Sequence, residues 1–202
     1  MKLYYTPGTC SLAPHIVLRE AGLDASFEKV DLGTKKTESG EDFTAINGKG
    51  YVPTLQLDDG HRLTEVAAIL QYLVALAPQS KLAPQVASRR WYQMLEWLTF
   101  ISSELHKSFS PLFRPEVPEE VKQMQRQLLS RRLEHVATAL GDEAYVLGDT
   151  YSVADAYLFT VLSWAQWVQF DLSRWPVLEE YRVRIAARPA VQAALRAEGL
   201  MQ

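Results

Sequence analysis

The sequence predicts a small α/β domain followed by an all-helical domain. Three observations carry that reading. Over residues 1–77, short strand-like runs alternate with helix-like runs. Residues 78–86 contain Pro78 and Pro84 with few large apolar residues beyond Leu82, and read as a linker. From residue 87 to residue 202 no strand pattern remains, only long stretches of helical periodicity.

In the first domain, Leu3-Tyr4-Tyr5 reads as a strand and Thr6-Pro7-Gly8-Thr9 as a loop. Ser11 to Leu23 carries apolar residues at Leu12, Ile16, Val17 and Leu23 with helical spacing, and Gly22 lies where the helix would stop. Ser26 to Leu32 alternates as a second strand, and Glu41 to Ile46 reads as a short helix. Val52–Leu57 and Arg62–Thr64 flank Asp58-Asp59-Gly60, a hairpin turn. Glu65 to Leu76 then places Val66, Ile69, Leu70, Leu73 and Leu76 on one helical stripe. A βαβ unit followed by a ββα unit sharing one sheet gives a mixed α/β domain.

Helices are expected in the second domain over 87–110, 118–140, 152–169 and 176–197, the last interrupted at Arg188-Pro189. Ser152-Val153-Ala154-Asp155 is a capping box that satisfies N–H groups at a helix start, so Asp155 reads as structural.

Composition narrows the function classes. Hydrophobic residues make up 48% and charged residues 22% of the chain, ordinary for a soluble globular protein. The net charge of −3 gives no strong field toward nucleic acid or anionic lipid, so neither is an expected partner. No run approaches the roughly 20 apolar residues of a membrane-spanning helix. The N-terminus shows no signal-peptide pattern and Cys10 is the single cysteine, which together point to the reducing cytoplasm.

Cys10 follows a strand and a Pro-Gly loop at the start of the first helix. Unpaired N–H groups and the helix dipole are expected to face it and favour an anion. A lone cysteine is more often an inert, buried small hydrophobe, but position in a loop favours the reactive reading here. There is no second cysteine in Cys10-Ser11-Leu12-Ala13, so any exchange cycle must use an outside thiol such as glutathione. Val52-Pro53 heads a strand. As a cis bond it would leave the Val52 N–H and C=O open to an extended peptide; as an edge-strand proline it would merely block the ladder. Glu65 opens a helix, where it could take a ligand ammonium, complement the helix dipole, or do both.

Taken together these motifs resemble the cytosolic glutathione S-transferases, and within them the bacterial beta class. The resemblance covers essentially the whole chain. It rests on residues 4–11 (YYTPGTCS), 51–55 (YVPTL), 63–65 (LTE), 100–107 (FISSELHK), 152–155 (SVAD) and 188–191 (RPAV) in this order and spacing. It implies a thioredoxin-like N-terminal domain with an appended all-α domain, a homodimer, and glutathione as co-substrate. It also assigns roles. Cys10 and His106 would be catalytic at the glutathione sulfur. Lys35 would contact the glycine end, Val52 the ligand backbone, and Glu65 with Val66 the γ-glutamyl end. Thr99, Ser103 and Glu104 would line the remainder, partly from the neighbouring subunit. No metal ion is implied.

Making thiolate the major form of an ordinary thiol at pH 7 takes roughly 2.7 kcal/mol of selective stabilisation. A helix N-terminus supplies about 0.3–2 kcal/mol and one hydrogen bond to the charged sulfur about 1.5–3 kcal/mol. Two outcomes then stay open: attack of the glutathione thiolate on an aromatic or halogenated electrophile, or thiol–disulfide exchange through Cys10. Tyr5 and Ser11 are alternative sulfur partners. Phe109, Phe113 and Trp164 are candidates for the wall of an apolar acceptor site, expected between the two domains. The rival reading is a non-catalytic ligand carrier or regulatory protein of the same fold. Such a protein would be expected to lose Cys10, His106 or Glu65, and this chain has all three.

Overall fold

The first strand pairs two ways in a computed structural model, which describes residues 1–201. β1 (Lys2–Tyr5) runs parallel to β2 (Ser26–Asp31) and antiparallel to β4 (Thr54–Gln56). β3 (Lys36–Thr37) and β5 (Arg62–Thr64) complete a five-stranded sheet in the order β3-β2-β1-β4-β5. The parallel pair needs a crossover, and α1 (Leu12–Glu20) supplies it. The sequence pattern contains every strand except β3, whose two residues are too short to alternate.

Strand alternation decides what each face covers. Tyr4, Val30 and Val52 are buried in one cluster with Phe43 of the short helix α2 (Phe43–Ile46). On the other face Tyr5 and Phe27 meet His15 of α1 edge-on or tilted. α3 (Val66–Leu76) packs against α1 with Ile69, Leu70 and Leu73 fully buried.

In the second half, α4 (Arg89–Phe100) is capped by Ser88, whose Oγ accepts the Trp91 N–H at 3.1 Å. It passes into a π-helical turn at Ile101–His106 and then into α5 (Lys107–Phe109). The sequence reading expected one regular helix there. The widening coincides with hydroxyls that bond back to carbonyls one turn earlier: Thr99 to Leu95 O, Ser103 to Thr99 O, Ser108 to Glu104 O and Ser110 to His106 O. Such bonds compete with the amide ladder and loosen it.

α6 (Glu119–Leu140), α7 (Val153–Ser163) and α8 (Pro176–Ala186) follow. α7 is buried on every side from Val153 to Leu162, as expected of a helix that is apolar all round. Its start is held by Asp155, whose carboxylate accepts the N–H groups of Ser152 and Val146 and the hydroxyls of Ser152 and Tyr181. Burial nonetheless pushes the Asp155 carboxyl above the usual carboxylate range.

The chain divides into two compact units. One holds residues 1–82 together with the chain from Arg188 onward; the other runs Ala83–Ala187. Segmentation by sequence rhythm gave everything from residue 87 to the helical domain, and here the structure differs. α9 (Pro189–Ala197) lies against α1, burying Val191 and Ala194. Helical periodicity reports which face of a helix is apolar, not which partner covers it.

Candidate functional site

In the first unit the turn before α1 is tightly bonded. Ser11 is fully buried; its Oγ accepts the Thr6 N–H and lies 3.1 Å from Thr6 O and 2.9 Å from Thr9 Oγ1. The amides of Leu12 and Ala13 donate to Thr9 O and Cys10 O, and Pro14 has no N–H. The expected fan of unpaired amides around Cys10 is therefore replaced by committed ones. A tight turn ahead of the helix consumes them.

Cys10 is partly buried, and its thiol donates to Val52 O at 3.3 Å. The Val52–Pro53 bond is cis. Val52 is buried through its side chain, which anchors the backbone beside the thiol. Of its two backbone groups the C=O is thus taken by Cys10, while the N–H has no partner among the described residues.

Lys35 stands at φ 59° on the turn after β2, and its Nζ donates to Gly50 O at 2.8 Å, two residues before Val52. Gly50 itself has φ +67°, and a Cβ there would touch the Lys35 side chain. Glu65 also sits in the left-handed region, at φ 68°. A non-glycine residue held there is a strained position of the kind found at ligand clamps. Its carboxylate accepts Lys49 Nζ at 2.6 Å and Tyr51 Oη at 3.2 Å. The hydrogen bond to Glu65 raises the Lys49 ammonium above its ordinary value, and burial followed by the Glu65 charge raises the Tyr51 phenol. Val66 is the first residue of α3, so its N–H has no intrahelical partner; its side chain is buried.

Tyr5 and Ser11 read differently once placed. Burial, followed by the Glu198 and Glu38 charges, pushes the Tyr5 phenol up, so it stays protonated. The Ser11 hydroxyl is committed inside its own turn.

In the second unit Thr99 and Ser103 are exposed one turn apart, and Glu104 pairs with Arg132 of α6 at 2.6 Å. His106 packs edge-on against Trp164 with ring centres 4.7 Å apart. Phe109 and Phe113 meet the same indole at 5.8 and 5.9 Å. Phe109 is fully buried, Trp164 is 5% exposed and Phe113 is 44% exposed, so the cluster is a core with one open edge. His106 Nδ1 lies 2.8 Å from Tyr157 Oη.

Thus Cys10, Lys35, Val52 and Glu65 gather around the loop before β4, and His106, Phe109, Phe113 and Trp164 form one aromatic group. Sequence reasoning missed Lys49 and gave no role to Tyr51, the first residue of the motif at 51–55; the two flank Gly50. It also missed Tyr157, which lies in the apolar stretch 156–165 that Thr160 and Ser163 break, and Glu198. Glu198, near the C-terminus, accepts the Gly8 N–H at 2.8 Å and lies 2.8 Å from His15 Nδ1.

No helix of the described residues is long and apolar enough to cross a membrane. Residues 8–76 match the glutathione S-transferase N-terminal domain, and residues 100–189 the C-terminal domain. The chain is 50% identical over 200 residues to glutathione S-transferase GstA of Escherichia coli O157:H7, covering 99% of this chain and 100% of that one. A sphingomonad glutathione S-transferase solved with glutathione superposes with a TM-score of 0.95 at 46% identity, covering 99% and 100% of the two chains. The beta-class enzyme of Sphingomonas chungbukensis superposes at 0.96 with 45% identity, each chain covered in full. The chain belongs to the glutathione S-transferase family, and bacterial beta-class enzymes are among its structural neighbours.

Proposed function

We propose that this glutathione transferase binds its co-substrate along the loop before β4 and acts on the sulfur through Cys10, with His106 as a second catalytic group. The observation that carries the reading is the Cys10 thiol at 3.3 Å from Val52 O, beside a cis Val52–Pro53 bond and a Val52 N–H with no partner among the described residues. A thiol and a backbone edge able to pair with a peptide are what a cysteinyl tripeptide requires. Lys35 takes the glycyl carboxylate. Glu65 takes the γ-glutamyl ammonium, and the Val66 N–H takes the neighbouring carboxylate. Thr99, Ser103 and Glu104 complete the binding, partly from a second subunit. Phe109, Phe113 and Trp164 receive a small aromatic or halogenated electrophile.

In conjugation, the glutathione thiolate forms a C–S bond; either the carbon–halogen bond breaks and halide leaves, or the π pair of an activated double bond moves to the neighbouring carbon, which takes a proton from water. A second outcome, favoured by the partial exposure of Cys10, is exchange. Its thiolate attacks glutathione disulfide, forms a protein–glutathione disulfide and releases one glutathione thiolate.

Turnover of a chromogenic aryl halide with glutathione tests the proposal, alongside mass spectrometry of Cys10 after exposure to glutathione disulfide. Cys10→Ala is expected to lose the adduct and to lower turnover about ten-fold or more. Wild-type protein with neither turnover nor adduct would instead support a carrier.

The protein is expected to work as a homodimer. Leu76 of α3 and Tyr92 of α4 are exposed by 45% and 61%, apolar area that a second copy would cover. Light scattering should give about twice the chain's 22.9 kDa; a monomer at micromolar concentration contradicts this. A lone cysteine and a glutathione co-substrate fit the cytoplasm.

A further inference from the structure

We infer that Tyr157 is a positioning residue for His106, holding its ring in the tautomer that carries hydrogen on Nε2. The inference rests on the reading of His106 as a working residue. Tyr157 lies on α7 and is 1% exposed, yet its hydroxyl ends 2.8 Å from His106 Nδ1. The two rings stand at 89° with centres 6.1 Å apart, so the contact is made by the hydroxyl and not by stacking. Trp164 closes against the imidazole at 4.7 Å and 72°. The indole holds the plane of the ring and the phenol pins one of its nitrogens.

Which atom donates follows from acid–base strength. A phenol, with a pKa of about 10, is a far stronger donor than a neutral imidazole N–H. A neutral imidazole nitrogen, whose conjugate acid has a pKa of about 6.5, is in turn a far stronger acceptor than a phenol oxygen. Pairing the better donor with the better acceptor puts the tyrosine hydrogen on the Oη–Nδ1 line. The imidazole hydrogen then sits on Nε2, the nitrogen at the far side of the ring. In that form Nε2–H is a donor, the polarity needed to stabilise an anionic sulfur and not to remove its proton. The helix around His106 fits this role. The π-helical turn at Ile101–His106 frees the ring from regular helical phase, and the tyrosine then sets where it stays.

Tyr157→Phe removes one oxygen and keeps the ring. If Tyr157 positions His106, the variant is expected to lower kcat roughly 3- to 10-fold, the effect of one hydrogen bond, with KM for glutathione within about two-fold. The His106→Ala/Tyr157→Phe double variant should then match His106→Ala alone. Multiple-bond proton–nitrogen NMR, with the His106 signals assigned by their absence in His106→Gln, reads the tautomer directly. Wild type is expected to show Nδ1 unprotonated and Nε2 protonated, and Tyr157→Phe a mixture of both forms. Hydrogen on Nδ1 in the wild type, or the same single tautomer in Tyr157→Phe, overturns the inference, and the first of these decides even where the variant fails to fold. Unchanged activity in His106→Ala, with the expected tautomers intact, would sink the catalytic reading of His106 and leave the positioning by Tyr157 standing.

Discussion

Glu65 already holds an ammonium group, because Lys49 Nζ reaches it at 2.6 Å and bridges to Thr64 Oγ1 at 2.9 Å. A glutathione γ-glutamyl ammonium arriving at Glu65 has to displace that cation. Lys49 and Glu65 are 46% and 56% exposed, and a pair so wet contributes about 0.2–1 kcal/mol. Lys49→Met is therefore expected to tighten glutathione by up to about five-fold in calorimetry, since the ligand no longer competes with a resident charge. Binding ten-fold weaker in that variant would mean that Lys49 contacts the ligand's own carboxylates, and the competition argument would fail. Nothing at position 49 signals this in the sequence: a lysine beside glycine in a loop reads as a solvated charge, and its partner lies 16 residues further along the chain.

Elements were legible wherever a period was long enough to repeat. The stripe from Val66 to Leu76 became α3 over those residues, and the Asp58-Asp59-Gly60 turn joins β4 to β5 in the antiparallel register the alternation implies. The capping box at Ser152–Asp155 was legible too, although its Asp155 also collects Val146 and Tyr181 from outside the motif. What a local pattern misses is competition between local and non-local bonds. Serines and threonines at 99, 103, 108 and 110 leave the apolar spacing intact while widening the helix. Likewise Cys10 sits where a helix start was expected, but the amides predicted to serve it were consumed by the Thr6–Ala13 turn, and the thiol turned to Val52 O. The place of Cys10 at the start of α1 was thus legible, and the hydrogen bonds around it were not.

At the scale of the chain, the last helix returns to the first unit and closes it around a buried carboxylate. Arg19 Nε donates to His15 Nε2 at 3.0 Å, so the hydrogen on that neutral ring is on Nδ1 and points to Glu198 Oε1. The other oxygen of Glu198 accepts the Gly8 N–H, two residues before Cys10. Arg188, at the start of the same helix, pairs with Glu20 through two nitrogens at 2.6 and 2.9 Å. The Glu198 side chain is 0% exposed and that of His15 1%, so truncation leaves two donors facing no acceptor in a dry site. Leaving buried donors without an acceptor typically costs about 1–3 kcal/mol each. Glu198→Ala is therefore expected to lose that much in urea unfolding. Glu198→Gln, which still offers an oxygen to one donor, should lose clearly less. The contrast separates the carboxylate from the helix that carries it, since both variants keep α9 and its buried Val191 and Ala194. If alanine at 198 costs under about 1 kcal/mol, α9 is held by its apolar face alone, and the carboxylate does not tie the end of the chain to the loop that carries Cys10.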